Sequence, residues 1–231
     1  MNTSTLHYIY DPLCGWCYGA APLVKAAREI VTVRAHAGGM MTGSRRQAVT
    51  PQLREFVMQH DQRVAQLTGQ PFGEAYVNGL LRDPQAVFDS EPPIAAMLAA
   101  EQLGGRCLDM IARLQDAHYV EGRRIADRAV LIEVAQTIGL DRDEFAAALD
   151  RQTGNGVQAH IRATRQFMEQ IGAHGFPTFA LEENGTIRIV DIASYMGQPQ
   201  NLQAWLRDNT TLPEASAATG PIGCDADRCA V

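Results

Sequence analysis

Leu6-His7-Tyr8-Ile9-Tyr10-Asp11-Pro12-Leu13-Cys14-Gly15-Trp16-Cys17-Tyr18-Gly19-Ala20-Ala21-Pro22-Leu23-Val24-Lys25 is the stretch that decides the fold. Leu6, Tyr8 and Tyr10, interleaved with His7 and Ile9, favour a strand, and Asp11-Pro12 ends it. From Trp16 onward the chain is helix-tolerant, with Ala20, Leu23, Val24 and Ala27 at helical spacing, so the strand runs into a helix with Cys14 and Cys17 in its first turn. Unpaired N–H groups and the positive end of the helix dipole favour an anion there. Cys14 is therefore expected to ionise more readily than a free thiol. A spacing of three brings the second sulfur within bonding reach of the first. A lone Cys-x-x-Cys also serves as a zinc or structural pair, and the residues alone leave both uses open.

Outward from this stretch, Ile30 to Ala37 is β-branched and predicts a second strand, parallel to the first through the helical crossover. Gly38-Gly39 ends it, and Gly43 to Arg46 reads as a loop leaving the sheet. His36 reads as a strand-end residue, with no metal-type residue at ligand spacing beside it. From Pro51 to Gly172 the pattern turns helical. Pro51–Leu67 carries Leu53, Phe56, Val57, His60, Val64 and Leu67, and further helices are expected at 73–82, 92–103, 106–120, 127–138, 142–149 and 157–171. Ser90 and Asp141 are candidate N-caps, while Gly104-Gly105 and Gly139 are stop signals. Cys107 shares a helix face with Met110, Ile111 and Leu114 and reads as a small buried hydrophobe.

Strands resume at Pro177. Thr178–Leu181 and Thr186–Val190 flank Asn184-Gly185, a strong hairpin signal because both turn residues tolerate positive φ. A last helix is expected from Gln198 to Leu206, with Trp205 on its apolar face. The chain carries 26 acidic and 20 basic residues, a formal charge of −6, which disfavours a nucleic-acid partner. No apolar stretch reaches the roughly 20 residues needed to span a bilayer. The N-terminal residues lack the pattern of a secretory leader, and five cysteines are too few and too scattered for a secreted disulfide framework. A reducing, cytoplasmic setting is the expectation.

Tyr10 to Tyr18 resembles the active-site segment of DsbA-like thioredoxin-fold oxidoreductases, specifically the FrnE-type branch. The resemblance covers about residues 5 to 208 and implies an α/β thioredoxin fold, β-α-β then β-β-α, with a large all-helical insertion. The thioredoxin-fold domain would comprise residues 1–44 and 173–209, the insertion 45–172, and the remainder, 210–231, a flexible tail. It implies a thiol–disulfide oxidoreductase of the protein disulfide isomerase-like kind, with Cys14 attacking, Cys17 resolving, and Pro177, preceded by a cis peptide bond, as the third catalytic residue. Trp16, Phe176 and Thr178 become candidate substrate contacts. Asp11 stands where the family carries an acid that tunes the thiols, and equally reads as a turn residue. Gly15-Trp16 departs from the Pro-His pair of periplasmic DsbA, so that protein's oxidising potential does not carry over. Phe176 is larger than the usual aliphatic residue before this proline.

The expected partners are a disulfide-containing protein or small-thiol substrate and a cellular reductant such as glutathione or thioredoxin. No metal or resident cofactor is expected, with glutathione entering only as co-substrate or reductant. In the tail, Cys224 and Cys229 form a second dithiol, and a spacer of about 14 residues reaches on the order of 20 Å, enough for a resolving relay to Cys14–Cys17. Two other classes share the pattern. Kappa-class glutathione transferases and 2-hydroxychromene-2-carboxylate isomerases resemble the layout but typically place Ser where Cys14 stands. A non-catalytic binding module would use the Cys pair structurally.

Overall fold

The computed structural model describes residues 4–210. The tail beyond Thr210, with Cys224 and Cys229, lies outside the described residues.

The opening β-α-β unit forms, with its helix in two pieces. Strand β1 (Thr5–Tyr10) leads to α1 (Gly15–Gly19) and α2 (Ala21–Ala27), then to β2 (Thr32–Ala37), which pairs with β1 in parallel from Thr5 opposite Thr32 to Tyr10 opposite Ala37. The first helix is broken rather than continuous. Pro22 offers no N–H to the Tyr18 carbonyl, which accepts instead from the Gln70 side-chain amide at 3.1 Å. The break leaves the dithiol on a single short turn.

Strand β5 (Thr178–Glu183) lies antiparallel on the other side of β1, and β6 (Thr186–Val190) pairs with β5. The order β2-β1-β5-β6 places β1 centrally, and its Leu6, Ile9 and Tyr10 have no exposed surface. Asn184 and Gly185 take φ values of 51° and 77° at the hairpin turn, as a primed turn requires. The Phe176–Pro177 bond at the head of β5 is cis. After β6 the chain returns through α9 (Pro199–Asn209), which packs on α2 with Leu202 and Leu206 buried.

Between β2 and β5 run α3 (Pro51–Thr68), α4 (Glu91–Gly104), α5 (Cys107–Tyr119), α6 (Arg128–Thr137), α7 (Arg142–Gln152) and α8 (Asn155–Ile171). Three readings are corrected here. The insertion is not wholly helical: β3 (Gln47–Ala48) and β4 (Val87–Phe88) make a two-residue antiparallel ladder. The helix expected over 73–82 is irregular, a π turn at Ala75–Gly79 followed by a 3-10 turn at Leu80–Arg82. Close backbone approaches flank it, since a methyl at Gly73 would lie 1.9 Å from the Val120 carbonyl oxygen and one at Gly122 would lie 2.2 Å from that of Ala75. Ser90 makes no capping bond at α4 and is recruited elsewhere. Asp141, by contrast, caps α7 by accepting from the Asp143 and Glu144 N–H groups. Cys107 is buried in the core as read.

Helix α4 is nearly enclosed, from Ile94 to Met97 and again at Ala99 and Ala100. It packs most heavily on α7, which presents Phe145, fully buried. Among the described residues no helix is long and apolar enough to cross a membrane. Phe145→Ala should therefore cost about 3–5 kcal/mol, read as a lowered midpoint of chemical unfolding at unchanged slope.

Candidate active site

Cys14 is the N-cap of α1, with φ −93° and ψ 111°, and its Sγ accepts the Cys17 N–H at 3.3 Å. This bond satisfies one of the unpaired N–H groups at the helix start. The two cysteines are free thiols in unequal surroundings. Cys14 lines a cleft and its Sγ lies 3.7 Å from the Phe176 carbonyl oxygen, whereas Cys17 has no exposed surface. Burial, then the adjoining Cys14 sulfur, pushes the Cys17 thiol well up. Cys14, itself only 7% exposed, borders the cleft, and Cys17 is held as a thiol behind it.

Asp11 resolves as a tie rather than as a contact to Cys14. Its Oδ1 accepts from the Leu13 N–H and the Ser90 hydroxyl, both at 2.9 Å, and its Oδ2 accepts from the Met40 N–H at 2.5 Å. Ser90 Oγ also accepts from the Met41 N–H at 3.0 Å. The carboxyl is fully buried, and desolvation raises its pKa against the pull of these donors. Its charge also opposes ionisation of Cys17.

The cleft has a volume of about 220 Å³ and is walled by Trp16, Met40, Phe56, Asp61, Tyr119 and Phe176 around Cys14. The large Phe176 ring is accommodated by a missing side chain, since a methyl at Gly38 would lie 2.1 Å from it. Of the residues named from sequence, Cys14, Trp16 and Phe176 meet at this cleft. Pro177 and Thr178 do not line it; the Thr178 hydroxyl donates to the Gly175 carbonyl at 2.8 Å, and Thr178 pairs with Ile9 in the sheet. Among the described residues, no group of three or more His, Cys, Asp and Glu side chains is disposed to hold a metal.

The insertion supplies Phe56 and Asp61, which sequence reading missed as site residues, and Tyr119, whose spacing allowed but did not demand a place at a cleft. Phe56, taken as a buried-face residue of α3, is 61% exposed and stands at the cleft rim, and Leu67 is also exposed. The buried face runs instead through Leu53, Asp61 and Val64. Asp61 follows Val57 by four residues and precedes Val64 by three, so an acid on the apolar stripe was the available signal. Its Oδ2 accepts the Tyr76 hydroxyl at 2.9 Å, and burial raises its pKa to about 7 against that bond. Tyr119 stacks on Tyr18 with ring centroids 4.7 Å apart, and its buried hydroxyl has no partner among the described residues.

A family model described as a DSBA-like thioredoxin domain matches residues 5–197. The chain belongs to this family. It is a DsbA-like thiol–disulfide oxidoreductase with a thioredoxin fold. Among solved structures, it is similar to the cytosolic disulfide reductase DsbM from Pseudomonas aeruginosa, at 55% identity and a TM-score of 0.84, over 88% of this chain and 97% of that one. DsbM from Pseudomonas aeruginosa with GSH matches at 54% identity and a TM-score of 0.83, over 88% of this chain and 98% of that one. A 2-hydroxychromene-2-carboxylate isomerase matches at 17% identity and a TM-score of 0.55, over 87% of this chain and 98% of that one, a likeness of fold alone. Comparison with curated proteins found no match. In this DsbA-like chain Cys14 of the motif and residues of the insertion line one cleft.

Two measurements follow from its electrostatics. Ser90→Ala leaves the Met41 N–H without its acceptor and removes a donor from Asp11, and should cost about 1–3 kcal/mol in denaturant unfolding. A carboxyl whose folded pKa is raised holds its proton when the unfolded chain has lost it, so its contribution falls as pH rises. With Asp61 raised to about 7, wild type should lose stability relative to Asp61→Asn between about pH 4 and pH 7. The slope should not exceed about 1.4 kcal/mol per pH unit.

Proposed function

We propose that this oxidoreductase works as a disulfide reductase on small or protein disulfides of the glutathione type, in a reducing cytoplasmic setting. The observation that carries the reading is the asymmetry of the dithiol: Cys14 at the cleft, Cys17 sealed behind it with its thiol pushed up. Cys14, as thiolate, attacks one sulfur of the substrate disulfide, breaking that bond and releasing the first product thiol. Cys17 then gives up its proton and attacks Cys14 Sγ, displacing the second thiol. The enzyme dithiol is oxidised by two electrons and the substrate disulfide is reduced by two.

Glutathione or thioredoxin would return the Cys14–Cys17 disulfide to the dithiol. The similarity to a protein named as a cytosolic disulfide reductase, and to a structure of it with GSH, supports both the direction and the substrate class. Trp16 and Phe176 serve as walls for the substrate, and Pro177 sets the Phe176 carbonyl beside the reacting sulfur. The reading extends to Cys224 and Cys229 as a pair that passes electrons to Cys14–Cys17; unchanged turnover with every reductant after both are replaced by Ser would remove that extension.

Cys17→Ser incubated with glutathione disulfide should accumulate one glutathionyl group on Cys14, seen by intact mass and by the Cys14 peptide. Cys14→Ser should form no such adduct and should lose turnover. A glutathione redox titration should show a reversible two-electron transition at Cys14–Cys17. Absence of both the adduct and the transition overturns the reading.

A further inference from the structure

The helical insertion places a carboxyl against the motif turn at a distance that only glycine permits. A methyl at Gly15 would lie 2.6 Å from Asp61 Oδ1. The other oxygen, Oδ2, is committed to the Tyr76 hydroxyl, while Oδ1 accepts no hydrogen bond among the described residues. Cys14, Gly15 and Asp61 line the same cleft, together with Tyr76 and Tyr119.

We propose that Asp61, oriented by Tyr76, is a catalytic acid that protonates the thiolate leaving the substrate when Cys14 attacks. The proposal rests on the disulfide reductase reading and names the proton donor of its first step. In that step the Cys14 thiolate forms a bond to one substrate sulfur and the substrate S–S bond breaks. Its electron pair goes to the departing sulfur, and the Asp61 carboxyl proton follows, leaving a neutral thiol, a mixed disulfide on Cys14 and an Asp61 carboxylate. In reverse, the carboxylate takes the proton of an incoming thiol that attacks the mixed disulfide.

The surroundings favour proton exchange over an ion pair. Among the described residues no lysine or arginine lines the cleft; the titratable side chains that line it with Asp61 are Cys14, His60, Tyr76 and Tyr119. With burial raising its pKa to about 7, Asp61 is present in both forms near neutral pH, where a general acid is most effective. Asp11, the other buried acid near the thiols, has its oxygens taken up by Leu13, Met40 and Ser90.

The test compares two disulfides in single turnover with the reduced full-length protein. Glutathione disulfide releases an alkyl thiolate that needs a proton, whereas 5,5′-dithiobis(2-nitrobenzoate) releases an aryl thiolate that is stable without one. Asp61→Asn should slow glutathione disulfide by about tenfold or more and leave the aryl disulfide within about twofold of wild type. For wild type, the ratio of alkyl to aryl rates should fall as pH rises through about 7, and the substitution should flatten it. Equal slowing of both substrates, or of neither, overturns the proposal.

A wild type that reduces neither substrate overturns the reductase reading instead. Should Asp61→Asn not fold by circular dichroism, Tyr76→Phe carries the test. The Tyr76 bond lowers the Asp61 pKa, so its loss should move the fall in the rate ratio to higher pH. An unmoved profile overturns the proposal.

Discussion

The buried carboxyl of Asp11 is the tie on which the rest of the site depends. Three donors converge on it from three parts of the chain: Leu13 in the motif loop, Met40 in the loop after β2, and Ser90 at the start of α4. A carboxyl with no exposed surface is tolerated only when such donors satisfy it. Asp11 therefore holds the strand that delivers the thiols, the loop that forms one wall of the cleft, and the insertion in a single register.

The insertion's part in the chemistry follows from that register. The four-stranded sheet and the short motif turn supply a reactive sulfur and its buried partner, an arrangement able to exchange disulfides but open to solvent on one side. Helix α3 closes that side with Phe56 at the rim and Asp61 at the base, and α5 adds Tyr119. An aromatic cluster of Tyr18, Phe72, Tyr76 and Tyr119 runs from the motif helix into the insertion and holds the two parts face to face. The walls around Cys14 are thus decided largely by residues far from the motif in sequence. Gly15 and Gly38 are the matching concessions in the thioredoxin core, one admitting Asp61 and the other the Phe176 ring.

Much of this protein was determined by local sequence. The strand-to-turn-to-helix pattern around Cys14 and Cys17, the Asn184-Gly185 hairpin and the helical periods of the insertion are short-range signals, because they depend on backbone sterics and on burial of one face of an element. Tertiary structure alone decided the rest. Ser90 has the chemistry of a cap, yet its hydroxyl went to a buried acid 79 positions away, since leaving that carboxyl unpaired would cost more than an uncapped helix start. Phe56 and Asp61 exchanged the places their polarity implies, apolar ring outward and acid inward, because α3 buries its stripe against Gly15 and Tyr76 rather than against a purely apolar core. Periodicity says that one face is covered; it carries no information about what covers it, and that partner sets which polar groups can be satisfied there and what they can do.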